Sequence, residues 1–153
     1  MNPLEPILAH LEALRRGSAA DDAQAWRLEP HVVDDWIRNL PVTRRNICEV
    51  VALWLAAGFD SRRLAFDFAD QIANDLHYIV QAEAPLGTSN LMDWHTPLTW
   101  EAYMAFDAGE YAPEPDHDPV ERNTRPLIAA LIRRADELAT WRPALAVLDR
   151  AAP

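Results

Sequence analysis

SRRLAFDFADQIANDLHYIVQAEA, residues 61–84, decides the fold class. On a helical wheel Ala65, Phe68, Ile72, Leu76, Ile79 and Val80 fall within one arc of about 120°, while Asp67, Asp70, Asn74, His77, Tyr78 and Gln81 lie opposite. A stripe of that width on a segment this long is the pattern of an amphipathic helix. The spacing predicts one from residue 60 or 61 to about residue 83, halted by Pro85.

The flanking segments carry the same period. Toward the N-terminus, Asn2-Pro3-Leu4-Glu5 supplies a cap, a proline and a first-turn acid ahead of Ile7, Leu8, Leu11 and Leu14, with Gly17 as the stop. A short helix over residues 21–28 is expected to bury Trp26. Pro30 opens another, with Val32, Val33, Trp36, Ile37 and Leu40 on one side, and Pro41 closes it. Thr43 caps a segment whose Ile47, Val50, Val51, Trp54 and Leu55 form so wide an apolar face that it is expected to be the central buried helix, ending at Gly58.

Toward the C-terminus, residues 85–99 predict a loop or broken helix holding Trp94 and His95. Thr99 is expected to cap a helix through Trp100, Tyr103, Met104 and Phe106 that Gly109 stops, followed by an exposed acidic loop over residues 110–118. Asp118-Pro119-Val120-Glu121 repeats the capped start, and Pro126 suggests a second start at Thr124. Leu127, Ile128, Leu131, Ile132, Ala135 and Leu138 then form an amphipathic stripe, and residues 143–150 predict a last short helix with Leu145 and Leu148. No alternating β-branched run or hairpin turn interrupts this pattern. The expectation is an all-α fold, a compact single domain over residues 1–153 with about six to eight mostly antiparallel helices.

Charge is distributed unevenly. The formal net charge is −10, and residues 64–121 hold twelve Asp/Glu and no Lys or Arg, although the chain has fourteen arginines elsewhere. Nucleic acid and anionic lipid both reward exposed cations, so direct binding to either is not expected. No window approaches the roughly 18 uninterrupted apolar residues of a membrane span, and the first residues lack a basic export signal, so a cytoplasmic protein is expected. Cys48 is the only cysteine, which excludes an intrachain disulfide, and its apolar surroundings point to an inert thiol.

Two places invite a metal. Asp67, Asp70, Asn74 and His77 recur at i, i+3, i+7 and i+10, but helical metal sites point their ligands inward, whereas this stripe is read as facing away from the core. Asp116-His117-Asp118, with Glu114 and Glu121 near, lacks the glycine-containing spacing of a calcium loop. Neither is expected to be a dedicated site, and no cofactor is implied. There is no phosphate-cradling glycine loop, nucleophile elbow or zinc-protease helix, so no enzyme activity is expected. Among six tryptophans, Trp94 stands apart, flanked by Asp93 and His95 in a weakly periodic segment; with Tyr111 it is a candidate interface anchor.

The segments Phe106-Asp107-Ala108-Gly109-Glu110-Tyr111, Asp118-Pro119-Val120-Glu121 and Thr124-Arg125-Pro126-Leu127-Ile128, together with size, acidity and helical class, resemble the small acidic immunity proteins that bacteria encode beside a toxin. The resemblance implies a protein that binds a basic partner, such as a nuclease toxin, and blocks its active site, with carboxylates in place of phosphates. The expected surface is Asp67, Asp70, Asp75, Asp93, Asp107, Glu110, Asp116 and Asp118, anchored by Trp94 and Tyr111. Two alternatives stand beside it: a non-inhibitory adaptor or regulatory domain, including a homodimer, and a metal-dependent helical enzyme using Asp70, Asn74 and His77.

Overall fold

The computed structural model describes residues 4–19, 26–90, 94, 96–111 and 117–137. These form an all-α, single-domain bundle: α1 (Glu5–Ser18), α2 (Pro30–Ile37), α3 (Arg44–Asp60), α4 (Phe66–Gln81), α5 (Pro97–Glu110), and α6 (Arg125–Glu137), entered through a π-helical turn (Val120–Thr124). No strand occurs among the described residues, and none of their helices is long and apolar enough to cross a membrane.

α3 is the axis of the bundle. Residues 47 to 56 are buried without interruption, and within α3 only Ala57 and Asp60 are exposed. Its start follows the sequence: the Thr43 hydroxyl accepts from the Asn46 backbone N–H, and the Asn46 side chain accepts in return from the Thr43 N–H. α4, α5, α6 and α2 all pack on it. Phe59 meets Phe66 and Phe106 edge to face, and Phe66 meets Phe106 at a tilt, which brings α3, α4 and α5 together with ring centroids 5.4 to 6.3 Å apart. Ile7 and Leu11 of α1, and Ile128 and Leu131 of α6, complete the core.

Several expected boundaries move, each for a physical reason. The helix predicted from residue 60 or 61 begins at Phe66, because α3 runs through Gly58 to Asp60 and the chain then folds back on itself. A Cβ on Gly58 would lie 2.6 Å from Leu64 Cδ1, so this glycine makes room for the turn instead of ending the helix. Arg62 takes the left-handed position there (φ 62°), and the Leu64 N–H donates to the Gly58 carbonyl at 2.9 Å. Ala65, expected in the core stripe, is the exposed N-cap. α1 likewise continues past Gly17 to Ser18, and residues 26–29 are not helical.

In α5, Thr96 and not Thr99 occupies the N-cap, and Gly109 lies inside the helix. The two starts expected at residues 118 and 124 are one helical run. Asp118 caps it, its carboxylate accepting from the N–H groups of Val120 (3.0 Å) and Glu121 (3.3 Å). Pro126 has no N–H to donate one turn back, and the preceding turn widens to π form, with the Arg125 N–H donating to the Val120 carbonyl. Leu127 of the α6 stripe is exposed, whereas Ile128, Leu131 and Ala135 are buried. Asn2, most of residues 21–28, Leu138 and residues 143–150 lie outside the described residues.

Candidate functional site

α4 and α5 carry side chains at the same spacing. Asp67, Asp70, Asn74 and His77 recur at i, i+3, i+7 and i+10 on α4, as do Trp100, Tyr103, Asp107 and Glu110 on α5. The folded chain lays these stripes against one another. His77, late in α4, stacks on Tyr103, early in α5, with centroids 4.0 Å apart and planes 10° from parallel. Gly109, near the end of α5, lies against Phe66 at the start of α4, where an added Cβ would stand 2.8 Å from the ring. This crossed pairing makes the two helices antiparallel. The expected outward placement of the α4 stripe is corrected at His77, which is only 8% exposed, while Asp67 is exposed as expected and Asp70 and Asn74 are half-buried.

The seam has an aromatic end and an acidic end. At the aromatic end, Trp100 lies 5.7 Å from Tyr103 and 5.9 Å from His77, and Tyr78 lies 5.6 Å from His77 with its own ring mostly in water. Burial pulls the His77 imidazole toward its neutral form. Burial first, and then the charges of Asp107, Glu110 and Asp70 with Tyr78, raises the Tyr103 hydroxyl above its ordinary value.

At the acidic end Asp67, Asp70, Asp107 and Glu110 come near one another, and among the described residues none of the four is in an ion pair. Burial, the charge and hydrogen bond of Glu110, and the charges of Asp107 and Asp67 push the Asp70 carboxyl up to about 7. The Asn74 amide donates to the Asp70 carbonyl (3.0 Å) and carboxylate (3.3 Å) and holds it in place. Gly109 brings the end of α5 close in: a Cβ there would meet Thr124 Oγ1 at 2.3 Å and the Phe66 ring at 2.8 Å.

Other expected surface residues go elsewhere. Asp75 is not on the surface: it is 4% exposed and receives Arg27 through Nη2 (2.7 Å) and Nε (3.0 Å), the Leu28 N–H (2.9 Å) and the Gln71 amide (3.1 Å). Asp75, four positions before Ile79, becomes interior because Arg27 and Leu28, in the segment after α1, close over it, which no local period reports. Trp94 is not a free anchor either; its indole N–H donates to the Val80 carbonyl (3.0 Å), and the Arg45 guanidinium lies 4.5 Å above its ring. Asp118 is exposed but serves as the helix cap described above. Tyr111 is exposed at the end of α5, beside Glu110. Asp93 and Asp116 lie outside the described residues.

Tyr103 and Trp100 were not among the expected site residues, although the repeat of the α4 spacing at positions 100, 103, 107 and 110 is a signal for them. Glu49 was not among them either. This carboxylate, 1% exposed in the middle of α3, accepts from the Thr99 N–H (2.8 Å), the Thr99 hydroxyl (2.9 Å) and the Thr96 hydroxyl, and so caps α5 from another helix. A lone acid within an otherwise apolar run was its signal. Cys48, beside it, is fully buried, and burial pushes its thiol up to about 12.

A separate cleft of about 370 Å³ lies between α1 and α4, lined by Arg15, Ser18, Trp26, Arg63, Asp67 and Phe68. Arg15 and Arg63 both bind Glu12 there. No group of three or more His, Cys, Asp or Glu side chains among the described residues is arranged to hold a metal ion. Compared with protein-family models, curated proteins and solved structures, the chain finds no match.

Proposed function

We propose that this chain is an acidic binding protein that docks a basic partner protein on the α4–α5 seam, acting as an inhibitor in the manner of a cytoplasmic immunity protein and performing no chemistry of its own. The observation that carries this reading is the uncompensated carboxylate group of Asp67, Asp70, Asp107 and Glu110, with exposed Tyr111 at one end and exposed Tyr78 farther along the seam. Elsewhere in the chain, acids that join one segment to another have been given partners: Asp75 has Arg27, Glu83 has Arg44, Glu101 has Arg134 and Glu12 has Arg63. Acids left together at a cost in self-repulsion offer a cation from outside what the fold does not supply. Tyrosines at the rim add flat, amphipathic contact area with little side-chain entropy to lose.

The test is binding to the purified product of the adjacent gene, since an immunity protein is encoded beside its toxin. The double variant Asp67→Arg/Asp107→Arg is expected to weaken that binding by at least about tenfold and to slow association, with the effect shrinking as salt rises. Glu5→Arg on α1, far along the chain from the seam, serves as the control and should change little. Equal affinity of the double variant and the parent at low salt would sink the assignment of this face.

A further inference from the structure

Arginines serve this fold as flat groups laid over rings. The guanidinium carbon of Arg125 lies 4.4 Å from the centre of the Phe59 ring, that of Arg45 4.5 Å from Trp94 and that of Arg63 4.8 Å from Trp54. All three rings are buried or half-buried. The aromatic end of the α4–α5 seam has the opposite character. Tyr78 is 64% exposed, with its ring inclined at 68° to that of His77, and Tyr103, stacked on one side by His77, is half-buried. Among the described residues no guanidinium lies over Tyr78 or Tyr103. The arginines that come near are committed: Arg27, near Tyr78, is held by Asp75, and Arg134, which reaches α5, is held by Glu101.

Asp107 follows Tyr103 by one turn of α5 and is exposed, so a ring and a carboxylate share one face. That pair offers a guanidinium both of the contacts it can make at once, a flat surface to lie on and acceptors for its fork of N–H donors. An ammonium group is compact and more strongly hydrated, and it gains less from the ring. We propose that this end of the seam is an arginine site, where an arginine side chain of the basic partner packs on Tyr78 and Tyr103 with its guanidinium turned to Asp107.

The arginine site rests on the docking reading and deepens it, since it names arginine, and not basic residues at large, as the group that anchors the partner. Charge complementarity brings a cationic segment to the face: Asp67, Asp107 and Glu110 are exposed and stand in no ion pair among the described residues. The tyrosine rings then select among the cations that arrive.

Hexa-arginine and hexa-lysine peptides carry the same formal charge and so separate the rings from the charge. Titrated into the full chain at low salt, hexa-arginine is expected to bind about threefold or more tightly than hexa-lysine, with its δ-methylene protons shifted upfield by a ring current in NMR spectra. Tyr78→Leu removes a mostly exposed ring, and should abolish that preference while leaving the affinity for hexa-lysine unchanged. Asp107→Asn should weaken both peptides. Equal affinity for the two peptides, a preference that survives in Tyr78→Leu, or an Asp107→Asn variant that binds both as the parent does overturns the arginine site and leaves docking by charge in place. Binding of neither peptide at low salt overturns the docking reading, and the arginine site with it.

Discussion

Asp70 and Asp75 sit five residues apart on α4, both partly or wholly withdrawn from water, and the fold treats them in opposite ways. Asp75 receives a bidentate guanidinium, a backbone N–H and a side-chain amide, so its charge is compensated where it is buried. Asp70 receives one amide and three acidic neighbours. A buried carboxylate with several donors holds a structure together, whereas one placed among like charges must keep a proton or present its charge to something else. Two acids of one helix thus divide into a structural tie and a candidate site.

The division can be pushed from either side. The largest effect is expected at Glu49, which is buried more deeply than either aspartate and satisfied only by hydrogen-bond donors of α5. Glu49→Ala orphans the Thr99 N–H and leaves a cavity beside it, and should cost about 3 kcal/mol in urea unfolding followed by tryptophan fluorescence. A loss below about 1 kcal/mol would mean that solvent reaches this cap. Asp75→Ala comes next, at about 2 kcal/mol by the same measurement: Arg27 is half exposed and can return to water, but the Leu28 N–H cannot.

The smallest effect has the opposite sign. Asp107→Arg places a cation where the fold supplies none, and should stabilise the free protein at pH 8 by about 1 kcal/mol while returning Asp70 toward the ordinary carboxylate range. If this variant is instead less stable at pH 8 and at low salt, the acidic end of the seam is compensated already, and the contrast with Asp75 loses its basis.

Much of the fold was legible along the chain because helix periodicity is a local signal. The stripes of α1, α3 and α4, the Thr43 cap and the Asp118 cap all follow from residues within a turn or two of one another. Glycines were the weaker guide. Gly17, Gly58 and Gly109 each look like a stop, yet all three lie within helices, and at Gly58 and Gly109 the missing side chain admits a neighbouring segment. The candidate site was legible in part. Asp67, Asp70, Asp107, Glu110 and Tyr111 were singled out from composition, while Asp75 and Trp94 were placed on the same surface and are engaged inside the chain. Their partners lie far off in sequence, Arg27 being 48 residues from Asp75, and no spacing rule reaches that distance.

By itself the sequence determined that the chain would be helical, which stripes would be buried, and that its acids would outnumber its bases in one long stretch, since periodicity and charge are properties of neighbouring residues. Only the tertiary structure decided which acids would be neutralised, because arginines from outside the stretch fold back onto Asp75, Glu83, Glu101 and Glu121 and leave the α4–α5 group alone. Charge compensation acts over a few ångströms of space, and the chain that brings two groups that close can be of any length.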